Sequence, residues 1–223
     1  MTRSGEKRAL VVRGGWEGHE PVRITDLFVP FLREHGFAVR TSQSLDVYAD
    51  AELLAATDLV VQCWSMGEIT PEQSAGLRDA VLAGTGLAGW HGGIVDAFRD
   101  DPDHQLLTGG RFVMHPAGFH DHRVRIEPER AEHPVVAGLS DFTVHTEQYW
   151  VATDALNEVL ATTVFPAGAF GLGLHEPVVM PAVWTRRRGA GRVFVSTVGH
   201  KPDDFDVPEV RALTERGLLW ASR

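Results

Sequence analysis

The first half of the chain alternates short apolar runs with segments whose apolar residues recur at helical spacing. The runs predict strands buried on both faces, and they lie at residues 8–12, 37–41, 58–64 and 86–90. Between them, residues 20–35 predict one helix. Thr70 and Gln73 form a capping box at the start of a second helix, which extends to about Ala83. This alternation predicts parallel βαβ units with right-handed crossovers.

The second half of the chain is richer in strand patterns. Predicted strands cover residues 122–128, 142–150, 157–165, 180–186 and 192–200, and a helix from about Pro208 to Trp220 follows them. Residues 96–120 predict a loop with at most one helical turn, which we interpret as a lid or an interface. Because no internal repeat or linker divides the chain, we predict one domain over residues 1–223. Its fold is α/β, with three layers, a mostly parallel central sheet flanked by helices, and extra strands in the second half.

Charge and hydropathy argue against two classes of partner. The formal net charge is −9 and the pI is about 5.6, whereas a nucleic-acid binder needs a basic face for the phosphates. The one basic run, Arg186 to Arg188, is followed by Gly189, so we interpret it as a solvated hairpin tip. No stretch approaches the roughly 20 apolar residues of a membrane span, so we expect no membrane partner.

The start of the chain and its single cysteine indicate the compartment. Residues 1–12 pass from charged side chains directly into a short apolar run and lack the apolar core of a secretory signal. Cys63 has no second cysteine with which to form an internal disulfide. Both observations favour the cytoplasm.

Histidines follow three of the predicted strands. His19 comes shortly after the first strand, His91 directly after the fourth, and His200 at the end of the last one. In an open parallel sheet, ligands bind outside the carboxyl ends of the strands. We therefore expect these three imidazoles to meet at one edge of the sheet.

Other side chains could join them there. His145, Glu147 and Tyr149 share a face of the predicted strand 142–150, because side chains alternate along a strand. His115 could reach the cleft from the long loop. Trp16, Trp64 and Trp90 lie at or near strand ends. They either fill the core or form flat platforms for a sugar ring. We interpret the remaining histidines at positions 104, 120, 122 and 175 as surface residues.

Six segments carry a resemblance to a known family. They are RGGWEGHEP, GLAGWHGG, GGRFVMHP, EHPVVAGLSDF, TEQYW and GRVFVSTVGHKPDDF, in this order along the chain. Together they resemble the ThuA-like trehalose-utilisation family, a branch of the class I glutamine-amidotransferase-like superfamily. The resemblance implies a flavodoxin-like, amidotransferase-like arrangement of the sheet and a link to disaccharide or keto-sugar metabolism.

The resemblance also implies that one activity is missing. Active enzymes of the superfamily carry a cysteine nucleophile on a sharp strand-to-helix turn, and here that turn reads Gly89-Trp90-His91-Gly92-Gly93. His200 matches the superfamily's catalytic histidine. Imidazole cannot perform the thiolate chemistry that hydrolyses glutamine, and Cys63 lies in a strand and not on the turn. We therefore expect no glutaminase activity.

Three hypotheses for the function stay open. In the first, His91, His200 and Glu147 catalyse acid–base chemistry on a disaccharide or keto-sugar, while His19, Trp16, Trp90, Trp64, Tyr149 and His115 bind it. In the second, the domain is a non-catalytic sugar-binding or regulatory module. In the third, two or three of His19, His91, Glu147 and His200 bind a divalent metal such as zinc, in a hydrolase or isomerase.

A sugar ligand and a homodimer are the expected partners, and no other cofactor is predicted.

Overall fold

The computed structural model describes residues 6–223. The strands are β1 (Lys7–Gly15), β2 (Phe37–Ser42), β3 (Leu59–Ser65), β4 (Gly86–Trp90), β5 (Gly110–Met114), β6 (Phe119–Ile126), β7 (Phe142–Glu147), β8 (Trp150–Thr153), β9 (Glu158–Phe165), β10 (Val178–Arg188) and β11 (Gly191–Ser196). The helices are α1 (Pro21–Glu34), α2 (Ala51–Ala56), α3 (Pro71–Leu82), α4 (Gly92–Val95), α5 (Pro102–Thr108) and α6 (Pro208–Ala221). Residues 1–5, which begin the segment used to predict the compartment, lie outside this description.

One large sheet has the strand order β2-β1-β3-β4-β11-β10-β9-β6-β7. The strands from β2 to β11 pair in parallel, and those from β11 to β7 pair antiparallel. A separate antiparallel pair joins β5 and β8. The mixed α/β fold predicted from the sequence, with its parallel first half and additional later strands, is confirmed.

Helices cover both faces of the parallel strands. Ala9 and Val11 of β1 belong to the core that α1 and α6 cover, whereas Leu10 and Val12 belong to the core under α2, α3 and α5. Each of these four side chains is at most 2% exposed. An apolar run without polar alternation is therefore what a strand covered on both faces requires, because each successive side chain enters one core or the other.

Two predicted segments differ from the structure. Residues 96–120 contain α5 and β5, not an extended loop. The Asp101 side chain caps α5 by accepting the backbone N–H of His104, and Gly109 ends the helix in the left-handed conformation. The predicted strand 142–150 is two strands, β7 and β8, which pair with different partners.

The basic run is only partly a solvated tip. It does end β10 next to the turn into β11, but the Arg186 side chain is fully buried. Its guanidinium donates a hydrogen bond of 2.9 Å to Asp154 and one of 3.0 Å to Asn157. Burying a charge is costly unless it is paired, and Asp154 provides that partner.

His104 is a core residue and not the surface residue we predicted. It is 3% exposed, and Gln62 Nε2 donates a hydrogen bond of 3.0 Å to its Nε2. The Tyr48 hydroxyl in turn donates to Gln62 Oε1. His120 and His122 are half-buried, and His175 is exposed as expected. Within residues 6–223, no helix is long and apolar enough to cross a membrane.

Protonation of His104 should limit stability in acid. Burial lowers its pKa from 6.5 to about 4, so between these values the unfolded chain binds a proton that the folded chain excludes. Stability therefore falls as the pH falls through this window. From pH 7 to pH 4.5, we expect the free energy of unfolding to fall by about 2–3 kcal/mol less in the His104→Gln variant than in the native protein. Urea denaturation at both pH values measures this difference, and equal losses would contradict a neutral buried His104.

Candidate active site

Three strand ends bring three histidines together at the carboxyl edge of the parallel strands. His19 ends a short 3₁₀ helix after β1, His91 follows β4, and His200 lies four residues beyond β11. Glu147, the last residue of β7, completes the group. One potential ligand atom from each of the four side chains lies within 4.8 Å of those from the other three, and all four residues are buried. We call these four residues the His–Glu cluster.

His91 has a strained backbone. Its φ of 48° and ψ of −144° lie in a region that residues with a side chain rarely adopt, and Gly92 and Gly93 follow it into α4. Such a conformation costs about 1–3 kcal/mol and persists where the surrounding structure enforces it, often at functional sites. Here the His91 backbone N–H donates a hydrogen bond of 2.7 Å to the Ser196 carbonyl. The side chain is thereby directed into the cluster.

Three cluster atoms form a tight triangle. His91 Nε2 lies 3.2 Å from Glu147 Oε2 and 3.1 Å from His200 Nδ1, and the latter two atoms are 3.1 Å apart. On the other side of the His91 ring, Nδ1 lies 2.8 Å from the carbonyl oxygen of Thr197. A carbonyl only accepts, so Nδ1 carries the hydrogen and Nε2 of the neutral ring presents its lone pair to the triangle.

Asp204 positions His200, and the sequence interpretation missed it. Its carboxylate accepts a hydrogen bond of 2.8 Å from the backbone N–H of His200 and one of 2.7 Å from the Thr146 hydroxyl. Asp204 thus connects the loop after β11 to the strand that carries Glu147. A carboxylate four residues after a candidate histidine was the available signal, but such spacing is common in loops that have no such role.

His19 is fixed by Ser65. Its Nδ1 lies 2.6 Å from the Ser65 hydroxyl, and its ring centroid is 4.9 Å from that of His91 and 4.7 Å from that of His200. Burial, together with the neighbouring His91 and His200, lowers the pKa of His19 to about 3. His19 is therefore neutral at physiological pH.

The other charges of the cluster follow from burial and hydrogen bonding. Burial also lowers the pKa of His91, although the adjacent Glu147 carboxylate opposes this effect. Burial raises the pKa of Glu147, but the adjacent His200 and His91 rings outweigh this effect, and the net pKa is well below the usual value. Glu147 is therefore an anion. Within residues 6–223 its ion-pair partners are all histidines.

Exposed side chains surround the opening of the cluster. The Trp16 ring is 47% exposed, and its centroid is 4.7 Å from that of His19. His115 Nε2 lies 3.6 Å from Glu147 Oε1, so both predicted residues do reach the site. Phe119, which the sequence interpretation did not identify, is 46% exposed and contacts the His200 ring edge-on at 4.8 Å.

The other three predicted sugar-binding aromatic residues are less accessible. Trp90 is 1% exposed and packs between Phe28 and Phe205, so it is a core residue and offers no platform to a ligand. Trp64 is half-buried, and in β3 it alternates with Ser65, so it points away from the side chain that holds His19. Tyr149 is 2% exposed, and its ring packs against that of His91 at 4.0 Å.

Comparison with known proteins gives one family. A family model described as ThuA, trehalose utilisation, matches residues 8–221. No curated protein matches the sequence.

Solved structures share the fold. A ThuA-like protein from Bacteroides uniformis has a TM-score of 0.74 at 19% identity, with 99% of this chain and 93% of that chain covered. One from Parabacteroides merdae has a TM-score of 0.73 at 18% identity, with 97% and 90% covered. A β-galactosidase from Bacillus circulans sp. alkalophilus has a TM-score of 0.53 at 12% identity, and the match covers 97% of this chain but 30% of that one. At these identities the likeness concerns the fold alone.

The close approach of His19 to the turn after β4 can be tested by a double-mutant cycle. A methyl group at Gly92 would overlap the His19 ring, 2.8 Å from its Nδ1. We expect Gly92→Ala to lower the free energy of unfolding by about 1–3 kcal/mol in the native protein. The decrease should be much smaller in a His19→Ala background, where the overlapping ring is gone. Urea denaturation of the four proteins measures this coupling. Equal costs in both backgrounds would show that His19 does not lie against this turn.

Proposed function

The chain belongs to the ThuA trehalose-utilisation family, which suggests a role related to carbohydrates, and from this premise we propose that it is an enzyme acting on a disaccharide or keto-sugar at the His–Glu cluster. The observation that carries the proposal is the buried triangle of His91, Glu147 and His200, with sides of 3.1–3.2 Å. Imidazole and carboxylate groups are the side chains that most often act as general acids and bases. A strained backbone at His91 supports a functional and not merely structural role for the turn.

The proposed chemistry uses no cysteine nucleophile. His91 stands where the superfamily carries its thiol, and Cys63 is buried in β3. Burial raises the pKa of the Cys63 thiol to about 12, so a thiolate is not formed at neutral pH. Glutamine hydrolysis is therefore not part of the proposal.

Two forms of the chemistry use the same side chains. In one, His91, His200 and Glu147 exchange protons with the sugar directly. In the other, they hold a metal that polarises a sugar oxygen, as in a zinc-dependent hydrolase or isomerase. In both, Trp16 stacks on the sugar ring at the opening and His115 adds a polar contact next to Glu147. The non-catalytic sugar-binding module is the alternative, and it differs from both forms in predicting binding without conversion.

Loss of His91 should abolish turnover. Purified protein incubated with disaccharides and their keto derivatives should convert at least one, as detected by mass spectrometry. For that substrate, we expect His91→Ala and Glu147→Gln to lower kcat/KM by at least about 100-fold, because each removes a group from the reaction centre. His145→Ala, which changes an exposed histidine outside the cluster, is the matched control and should retain activity.

Circular dichroism of each variant shows whether the fold is kept. Native activity in a folded His91→Ala protein would remove His91 from the mechanism. Calorimetric binding of a sugar that the protein never converts would favour the module.

Trp16 should affect binding more than chemistry. Its exposed ring lies at the opening and outside the triangle, so we expect Trp16→Ala to raise KM about five-fold, with kcat within about twofold of native. Leu156→Ala, which removes an exposed apolar side chain elsewhere, is the control. An unchanged KM in the Trp16 variant would show that the sugar does not stack there.

A further inference from the structure

The arrangement of donor atoms in the His–Glu cluster distinguishes the two forms of the chemistry. We propose that His91, Glu147 and His200, together with His19, bind one divalent transition-metal ion, and that zinc suits this donor set best. A role of the metal in catalysis rests on the proposed function, whereas metal binding does not. Metal binding itself follows from four features of the cluster.

The first feature is a shortage of hydrogen-bond donors. His91 Nε2 has a lone pair, because the ring hydrogen is on Nδ1, which donates a hydrogen bond to the Thr197 carbonyl. A carboxylate oxygen of Glu147 also only accepts. His200 Nδ1 contributes at most one hydrogen to the triangle, so the contact of 3.2 Å between His91 Nε2 and Glu147 Oε2 is left with two acceptors and no donor. Buried acceptors that face each other repel, and a cation between them turns the repulsion into attraction.

The second feature is the size of the triangle. A tetrahedral zinc ion with bonds of about 2.0 Å has neighbouring ligand atoms about 3.3 Å apart. The three edges measured here are 3.1, 3.1 and 3.2 Å. A ring nitrogen of His19 lies within 4.8 Å of the other ligand atoms. The cluster is thus close to the geometry of a metal site before any ion binds.

The third feature is the support behind the ligands. Metal-binding imidazoles usually donate their second ring N–H to a carbonyl, carboxylate or hydroxyl, which fixes the ring. The Thr197 carbonyl does this for His91, and the Ser65 hydroxyl occupies Nδ1 of His19. Thr197 and Ser65 are both more than nine-tenths buried, so the two rings cannot turn away easily.

The fourth feature is charge. The Glu147 carboxyl group is buried, and within residues 6–223 no lysine or arginine pairs with it. A buried charge without a counter-ion is unfavourable, and a divalent ion would compensate it. Three imidazoles and one carboxylate suit zinc and its first-row neighbours. Magnesium and calcium prefer sites made of oxygen atoms alone.

Metal content can be measured without knowing the substrate. Protein purified without chelator and then equilibrated with zinc chloride should retain about one zinc per chain after gel filtration, as determined by mass spectrometry of the metal. Zinc should raise the melting temperature of the protein, because binding stabilises the folded state. Cobalt in place of zinc should give the visible absorption typical of four- or five-coordinate Co²⁺.

Variants locate the metal. Glu147→Gln keeps the shape of the side chain and removes its charge, so it should fold as the native protein does but bind zinc at least about 100-fold more weakly, and His91→Ala should do the same. Ser65→Ala, which removes only the support of His19, should weaken binding about tenfold. His145→Ala should bind zinc as the native protein does.

Two results would overturn the inference. One is less than a tenth of an equivalent of zinc, manganese, iron, cobalt or nickel on the native protein. The other is equal binding by the native and Glu147→Gln proteins, which would place the ion elsewhere. A metal-free protein whose turnover depends on His91 would refute the metal site and support the proposed function, whereas a metal-bound protein that converts no sugar would do the reverse.

Discussion

The hydrogen bond between His91 Nδ1 and the Thr197 carbonyl is the interaction on which the site depends. It joins the turn after β4 to the segment after β11, two strands that are neighbours in the sheet. It also decides which ring nitrogen of His91 carries a hydrogen and which one meets Glu147. If His91 could rotate, the triangle would lose both its shape and its imbalance of donors and acceptors. The chemical character of the site is therefore set by a backbone group that no side-chain replacement can remove.

The two halves of the sheet contribute different groups to this site. The parallel half supplies the imidazoles at its carboxyl edge, and the antiparallel half supplies the carboxylate. Four strand-to-strand steps separate β11 from β7 in the sheet, which in a flat sheet would be about 19 Å. His200 and Glu147 are nevertheless 3.1 Å apart, so the antiparallel strands must coil back over the edge of the parallel ones. The hydrogen bond from the Thr146 hydroxyl to the Asp204 carboxylate joins the two halves at this point.

The sequence was most informative where a general rule of topology applies. His19, His91 and His200 were predicted to meet because each follows a strand, and parallel strands end at the same edge. Trp90 shows the limit of this rule, since it too ends a strand but faces the core between Phe28 and Phe205. The buried His104 ring is hydrogen-bonded to Gln62, 42 residues away in sequence, and no local pattern predicts such a contact. The contacts of Asp204 with Thr146 and of Phe119 with His200 join segments that are far apart in the sequence, so no local pattern predicts them.

The position of β11 has a consequence for how the protein is made. This strand is formed late in the chain, yet it lies between β4 and β10 and is the only link between the parallel and antiparallel parts of the large sheet among the described residues. Before residues 191–196 pair with β4 and β10, the facing edges of these two strands have backbone groups without partners in the sheet. Such open edges attract other extended chains. The late position of β11 in the chain therefore leaves β4 and β10 with open edges until the last strand of the sheet is in place.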